Sequence, residues 1–230
     1  MENTKTTKGK MESASKRVLV WDLPTRLFHW LLVVLVVISF VSGNIGGNAM
    51  QYHEWSGFTI LALLLLRLVW GVVGSRESRF ATFVRGPSTV VRYATTILRS
   101  DSTPFRGHNP LGGWSIIAML LALLVQAATG LFANDDITTE GPLFDWVSKA
   151  TSDWLTRVHK LNQEVIIALV CIHVLAVLFY LFHKLENLVN PMITGVKEWR
   201  GTGPQPATGR SWIAALIAGL AALAVYLLVR

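Results

Sequence analysis

The stretch RVHKLNQEVIIALVCIHVL, Arg157 to Leu175, decides how this chain is read. It grows more apolar along its length, yet it carries two histidines, His159 and His173. An ionisable side chain inside a membrane is costly, so each one marks a functional-site hypothesis by default. At 1.5 Å per residue the two lie about 21 Å apart along a helix axis, and at 100° per residue they end about 40° apart around it. They share one face at two depths. That arrangement suits two cofactors stacked across a membrane. It does not suit one compact metal ion, whose ligands converge within about 2 Å.

The surrounding sequence supplies the membrane. The chain has 230 residues, 52% of them hydrophobic, and the apolar residues come in long blocks. A run of about 18 or more is long enough to cross a bilayer. Such blocks fall at about Pro24 to Gly43, Trp55 to Val73, Leu111 to Phe132, Val158 to Phe182 and Trp212 to Val229. Five transmembrane helices are expected, and strands are not, because the runs are long and do not alternate polar with apolar. Residues Met1 to Lys16 are polar and lack the apolar core of a cleavable signal. Residues 1–17 are expected to be a disordered cytoplasmic tail, 18–200 a four-span domain, 201–210 (from GTGPQPATG) a linker, and 211–230 the fifth span.

Charge sets the orientation. Lys5, Lys8, Lys10, Lys16, Arg17 and Arg26 precede or open the first span. Arg76, Arg79, Arg85, Arg92, Arg99 and Arg106 fill the second-to-third connection, and Lys184, Lys197, Arg200 and Arg210 the fourth-to-fifth. The third-to-fourth connection is acidic, with Asp135, Asp136, Glu140, Asp145 and Asp153. The positive-inside rule then predicts a cytoplasmic N-terminus and a periplasmic C-terminus in a bacterial inner membrane. The net charge of +7 reads as this topology signal, with some attraction for anionic lipid. It is no nucleic-acid signal, because the cations sit in separate juxtamembrane loops.

Smaller features follow. GPSTVVRYATTIL reads as an amphipathic helix at the membrane surface. PLFDWVSKATSDWL, Pro142 to Leu155, reads as a second surface helix. The fifth span is rich in Ala and Gly, which allows close packing on the bundle or on another chain, a second copy included. Trp21, Trp30, Trp55, Trp146 and Trp154 read as an interfacial belt. The lone Cys171 reads as a small core residue.

Partners for the two histidines come from depth. His53 opens the second helix on the external side, the level of His159. His29 lies early in the first helix, on the cytoplasmic side, and is the partner for the deeper His173. Two bis-histidine pairs, one above the other, are what two b-type haems need, each iron taking an axial imidazole from either face. Histidines on separate helices can sandwich a flat macrocycle in a bundle core. Gly43, Gly57 and Gly130 would make room for the ring. Arg67, within LALLLLRLVWG, is placed either to pair with a haem propionate or to snorkel to lipid phosphate. Arg26 is a second propionate candidate, or a positive-inside anchor. His183 reads as interfacial, and His108, before Asn109-Pro110, as part of a turn or cap.

Several segments resemble the prokaryotic cytochrome b-561 family, nearest the branch that holds the b-type cytochrome subunit of nickel–iron hydrogenases. They are VWDLPTRLFHW (20–30), YHEWSGFTILALLLLRLVWGVVGSRESRF (52–80), GHNPLGGW (107–114) and VHKLNQEVIIALVCIHVL (158–175). The likeness runs from about Val18 to Arg200. It implies a four-helix bundle with two b haems that moves electrons between quinone and a redox partner, and its ligand positions fall on His29, His53, His159 and His173. The family usually carries an aromatic just before the fourth-span histidine, where this chain has Val158. The fifth span lies outside the likeness.

The expected fold is therefore an all-α membrane protein, a four-helix di-haem bundle plus one C-terminal helix. The expected function is electron transfer between the quinone pool and a periplasmic c-type cytochrome or oxidoreductase subunit. The protein supplies binding and potential, and the chemistry belongs to the haems. Three readings compete: a quinone-reactive oxidoreductase of a small external reductant, a histidine-based metal-ion transporter, and a passive anchor with structural haems. The transporter suffers from the split of the histidines into two layers.

Overall fold

The computed structural model describes residues 16–98, 105–137, 139–199 and 210–230. Its order is β1 (Lys16–Leu19), α1 (Leu23–Ile45), α2 (Met50–Val73), α3 (Phe80–Phe83), α4 (Pro87–Thr96), α5 (Pro110–Gly130), α6 (Lys149–Phe182), α7 (Val189–Thr194), β2 (Val196–Trp199) and α8 (Ser211–Leu228). Five helices, α1, α2, α5, α6 and α8, are long and apolar enough to cross a membrane. The protein is an all-α membrane bundle, as the hydropathy blocks imply.

Local chemistry sets the helix ends. Asp22 caps α1, its Oδ1 accepting from Thr25 N at 2.9 Å, and Pro24 occupies the first turn. Asn109 caps α5 in the same way, accepting from Gly112 N at 2.8 Å. The chain turns from α1 into α2 through Gly46 and Gly47, both at positive φ, where only glycine is unstrained. Helix α6 begins earlier than expected. Ser148 caps it, and the segment expected as a separate surface helix divides into a single turn at Phe144–Trp146 and the first turns of α6. With 34 residues, α6 spans about 51 Å. That exceeds the roughly 30 Å of hydrocarbon, so it projects beyond the bilayer at one end or both.

The core lies between α1, α2 and α5, where Phe28, Ile60, Leu64, Leu120 and Leu123 pack together, with Ile166 of α6 against them. On the other side of α2, Leu61 joins Leu131, Leu143 and Val225 of α8. Helix α8 thus packs on α2. Helix α6 packs mainly on α5, and neither α1 nor α2 packs extensively against it. A slot therefore remains along α6. Cys171 faces outward and is exposed, so it is not a core residue.

Two short strands, unexpected from the sequence, close the basic end. β1 pairs antiparallel with β2, Lys16 opposite Trp199 and Leu19 opposite Val196. Val20 N and Trp21 N both donate to Gly195 O. Val18, Val20 and Trp21 bury against Met192 and Trp199. The strand starts at Lys16, inside the expected tail. Residues 1–15 and most of the expected linker lie outside the described residues. Trp21 is buried in this cap and is not part of an interfacial belt, whereas Trp55, Trp146 and Trp154 are exposed.

Candidate haem sites

The slot beside α6 holds the four histidines in two pairs. The rings of His53 on α2 and His159 on α6 lie 5.9 Å apart between centroids. Those of His29 on α1 and His173 on α6 lie 6.5 Å apart. Two imidazoles bound to one metal ion from opposite sides, with bonds of about 2 Å, place their centroids about 6 Å apart. Both pairs have that spacing.

The acidic-end pair is anchored from behind. His53 Nδ1 donates to Ser39 O at 2.8 Å, and His159 Nδ1 donates to Gln126 O at 2.9 Å. A carbonyl only accepts, so the proton sits on Nδ1 and Nε2 keeps its lone pair. That is the tautomer an Nε2 metal ligand needs. Ser39 Oγ and Thr129 Oγ1 approach the same ring nitrogens at 3.2 and 3.3 Å. Asn162, on α6, donates to Ala122 O and to Gln126 Oε1, both at 2.8 Å. It ties α6 to the α5 turn that receives His159.

Glycine serves these rings differently from the expectation. A Cβ on Gly43 would lie 2.7 Å from His53 Nδ1, and one on Gly130 would lie 3.0 Å from His159 Cε1. Both glycines make room for the imidazoles. Gly57 alone faces open space.

The basic-end pair has other surroundings. His29 Nδ1 is buried with no hydrogen-bond partner. Arg67 is only 4% exposed, so it does not snorkel to lipid. Its guanidinium stacks over Phe80 at 4.8 Å, and one terminal nitrogen is buried without a partner. Arg26 reaches the α7 turn, its Nη1 donating to Ile193 O at 2.6 Å, while its Nε is buried and unpartnered. Asp22, also 4% exposed, accepts from Trp70 Nε1 at 3.0 Å and from Ser78 Oγ at 3.3 Å.

His108 belongs here as well. It lies between Trp21 and Phe83, with ring centroids 4.5 and 4.9 Å away, and its Nδ1 is buried without a partner. Burial pushes its pKa down to about 3, with the charges of Arg67, His173 and His29 adding to the effect. The sequence reading of a turn or cap residue missed this, because Asn109 does the capping. Ser39, Thr129, Gln126 and Asn162 were missed too. The one available signal was polarity inside an apolar span.

These features fit a haem. Two pairs of imidazoles stand at the spacing of two axial ligands on one iron, and unpartnered buried nitrogens at the basic end suit acceptors such as carboxylates. Among the described residues, no three of His, Cys, Asp and Glu converge as a compact metal site requires. A helical membrane bundle with opposed imidazoles is the build of a membrane-bound b-type cytochrome. A family model described as prokaryotic cytochrome b561 matches residues 20–195, and the chain belongs to that family. It is an integral membrane protein of haem-based electron transport.

Curated relatives agree. The chain is 22% identical to a protein of Bradyrhizobium diazoefficiens named "Probable Ni/Fe-hydrogenase B-type cytochrome subunit", over 84% of this chain and 90% of that one. It is 25% identical to a like-named protein of Rhizobium leguminosarum bv. viciae, over 81% and 91%. An Escherichia coli K12 protein, "Probable Ni/Fe-hydrogenase 1 B-type cytochrome subunit", is 24% identical over 77% and 89%. No solved structure matches the chain.

Proposed function

We propose that the chain binds two haem b groups, one between His53 and His159 and one between His29 and His173, and relays electrons between a periplasmic redox protein and the quinone pool. The observation that carries this reading is the pair of ring separations, 5.9 and 6.5 Å, at two depths of one helix. Haem supplies one-electron chemistry when bound. The protein's residues hold it, orient it and set its environment.

Arg67 and Arg26 are the donors for the propionates of the basic-end haem, since guanidinium binds carboxylate through two parallel hydrogen bonds. That end is cytoplasmic by the positive-inside rule, and the acidic end is periplasmic. Quinone exchanges electrons at the cytoplasmic haem. The external partner is a c-type cytochrome or an oxidoreductase subunit. A hydrogenase is one such oxidoreductase, and the names of the relatives favour it. The acidic external loop, with Asp136 and Glu140 exposed, suits a partner with a basic face.

The test is an optical spectrum of the purified protein with haem counted per chain. Two b haems that quinol reduces are expected, and His173→Ala should remove one of them. Absence of a Soret band would sink the reading and revive the transporter.

A further inference from the structure

Asn162 places a side-chain amide on α6 three residues inward of His159. Positions three apart share a helix face, so the two side chains meet α5 together. His159 Nδ1 donates to Gln126 O at 2.9 Å. Asn162 Nδ2 donates to Ala122 O and to Gln126 Oε1, both at 2.8 Å. Ala122 O only accepts, which fixes the orientation of the amide, and both of its N–H groups are engaged. Ala122 and Gln126 are four apart, about one turn of α5. Two polar rungs therefore join the helices, and both end on the same turn of α5. A slide or a roll of α6 breaks them together.

The first rung controls an angle. An imidazole bound to a metal through Nε2 can turn about that bond. Its Nδ1 lies off the bond axis, so a hydrogen bond from Nδ1 to a fixed carbonyl stops the rotation and sets the plane of the ring. The Gln126 carbonyl is fixed only while its turn of α5 stays in place against α6, and Asn162 grips that turn at both ends. Hydrogen bonds of this kind between helices are the polar ties of membrane bundles. The opposing ring, His53, is held by Ser39 O and by its close approach to Gly43. The planes of His53 and His159 stand at 75°. In the other pair His29 Nδ1 is buried without a partner, and the planes stand at 54°.

We propose that Asn162 is a positioning residue: acting through the Ala122–Gln126 turn, it holds the His159 ring nearly perpendicular to the His53 ring across the acidic-end haem. The inference rests on the two-haem reading. Its consequence is spectroscopic. In an oxidised low-spin haem, the angle between the axial ring planes sets how far two d orbitals of the iron split. Parallel rings split them widely and give a rhombic electron paramagnetic resonance spectrum with three resolved features. Near-perpendicular rings leave them almost equal in energy and give a strongly anisotropic signal with one dominant low-field feature. A held ring gives a narrow feature, and a loose ring gives a broad one.

The experiment is electron paramagnetic resonance of the oxidised, purified holoprotein, with haem counted per chain. The wild type should show two low-spin signals, the more anisotropic one from the acidic-end haem. Asn162→Leu, close in size but without the amide, should keep both haems, shift and broaden that signal and leave the other unchanged. Gln126→Met removes the side-chain acceptor and keeps the backbone carbonyl. It should shift the same signal in the same direction but less, because the bond to Ala122 O remains. The double variant should match Asn162→Leu, since both changes interrupt one path. An unchanged spectrum in Asn162→Leu, whatever its thermal midpoint, would reduce the residue to helix packing and overturn the proposal. So would equal shifts of both signals, or additive shifts in the double variant. If Asn162→Leu loses haem, Gln126→Met decides by itself: a shift of the one signal supports the proposal and an unchanged spectrum overturns it. Fewer than two haems in the wild type would instead refute the two-haem reading, which separates the two failures.

Discussion

Gly43 and His53 meet so closely that a methyl group on Gly43 would lie 2.7 Å from the ring nitrogen His53 donates through. The two residues are on neighbouring helices, α1 and α2, and the absence of a side chain at one fixes the rotamer of the other. Replacement by alanine cannot be absorbed without moving the ring, because Nδ1 is also held by Ser39 O. Gly43→Ala should therefore cost the acidic-end haem and spare the other, so that haem per chain falls by about half. Gly219→Ala on α8, where a Cβ meets nothing, is the control. Equal haem content in the two variants would refute the packing argument.

Asp22 ties three elements together at the basic end. Its carboxylate caps α1 and receives Trp70 of α2 and Ser78 of the loop beyond it. Removing it leaves a buried indole N–H without its acceptor and strips the helix cap. Each loss costs about 1–2 kcal/mol. Asp22→Ala should lower the thermal midpoint of the holoprotein markedly. Asp22→Asn, which keeps an acceptor oxygen, should lower it less. Thermal unfolding in detergent compares them.

His108 links stability to pH. Burial lowers its folded pKa from the usual 6.5 to about 3. The folded protein thus keeps the ring neutral where an unfolded chain would protonate it. Stability from this group is fully present above about pH 6.5 and is lost as pH falls from there towards 3. The slope from one proton is at most about 1.4 kcal/mol per pH unit. His108→Gln should flatten the decline in thermal midpoint between pH 7 and pH 5. An unchanged decline would mean that other groups carry it.

The acidic end predicts a salt effect. Asp136 and Glu140 are exposed there, and Glu140 and Glu54 line a cleft of about 370 Å³. Reduction of the protein by a basic c-type cytochrome should slow as ionic strength rises, because the Debye length shrinks to about 8 Å at 0.15 M. Glu54→Gln with Glu140→Gln should reduce the low-salt rate and weaken its salt dependence. Stopped-flow measurement of the bimolecular rate gives both.

The legible part of the site was the depth ladder on α6. His159 and His173 stand on one helix, and the depths of His29 and His53 follow from their places near the starts of the first and second helices. What stood behind the histidines was not legible. Ser39 precedes His53 by fourteen residues and belongs to another helix, and Gln126 lies thirty-three residues before His159. Nothing periodic connects them. His108 looked like turn chemistry because its neighbours Asn109 and Pro110 start a helix. Its burial comes from Trp21 and Phe83, which arrive from distant parts of the chain. Cys171 failed for a related reason: its apolar neighbours signal a membrane span but not which face of it looks outward.

The sequence by itself determined five membrane helices, the spacing of two histidines on one of them, and a basic and an acidic end. These depend on hydropathy, charge and a rise of about 1.5 Å per residue, all of which are local. Tertiary structure alone decided that α6 stands off from α1 and α2 to leave a slot, that Gly43 and Gly130 give space to imidazoles, and that β1 and β2 close the basic end. It also decided that one histidine pair is hydrogen-bonded from behind while His29 Nδ1 in the other is buried without a partner. Those outcomes depend on which faces of separate helices meet, and residues far apart in the chain settle that together.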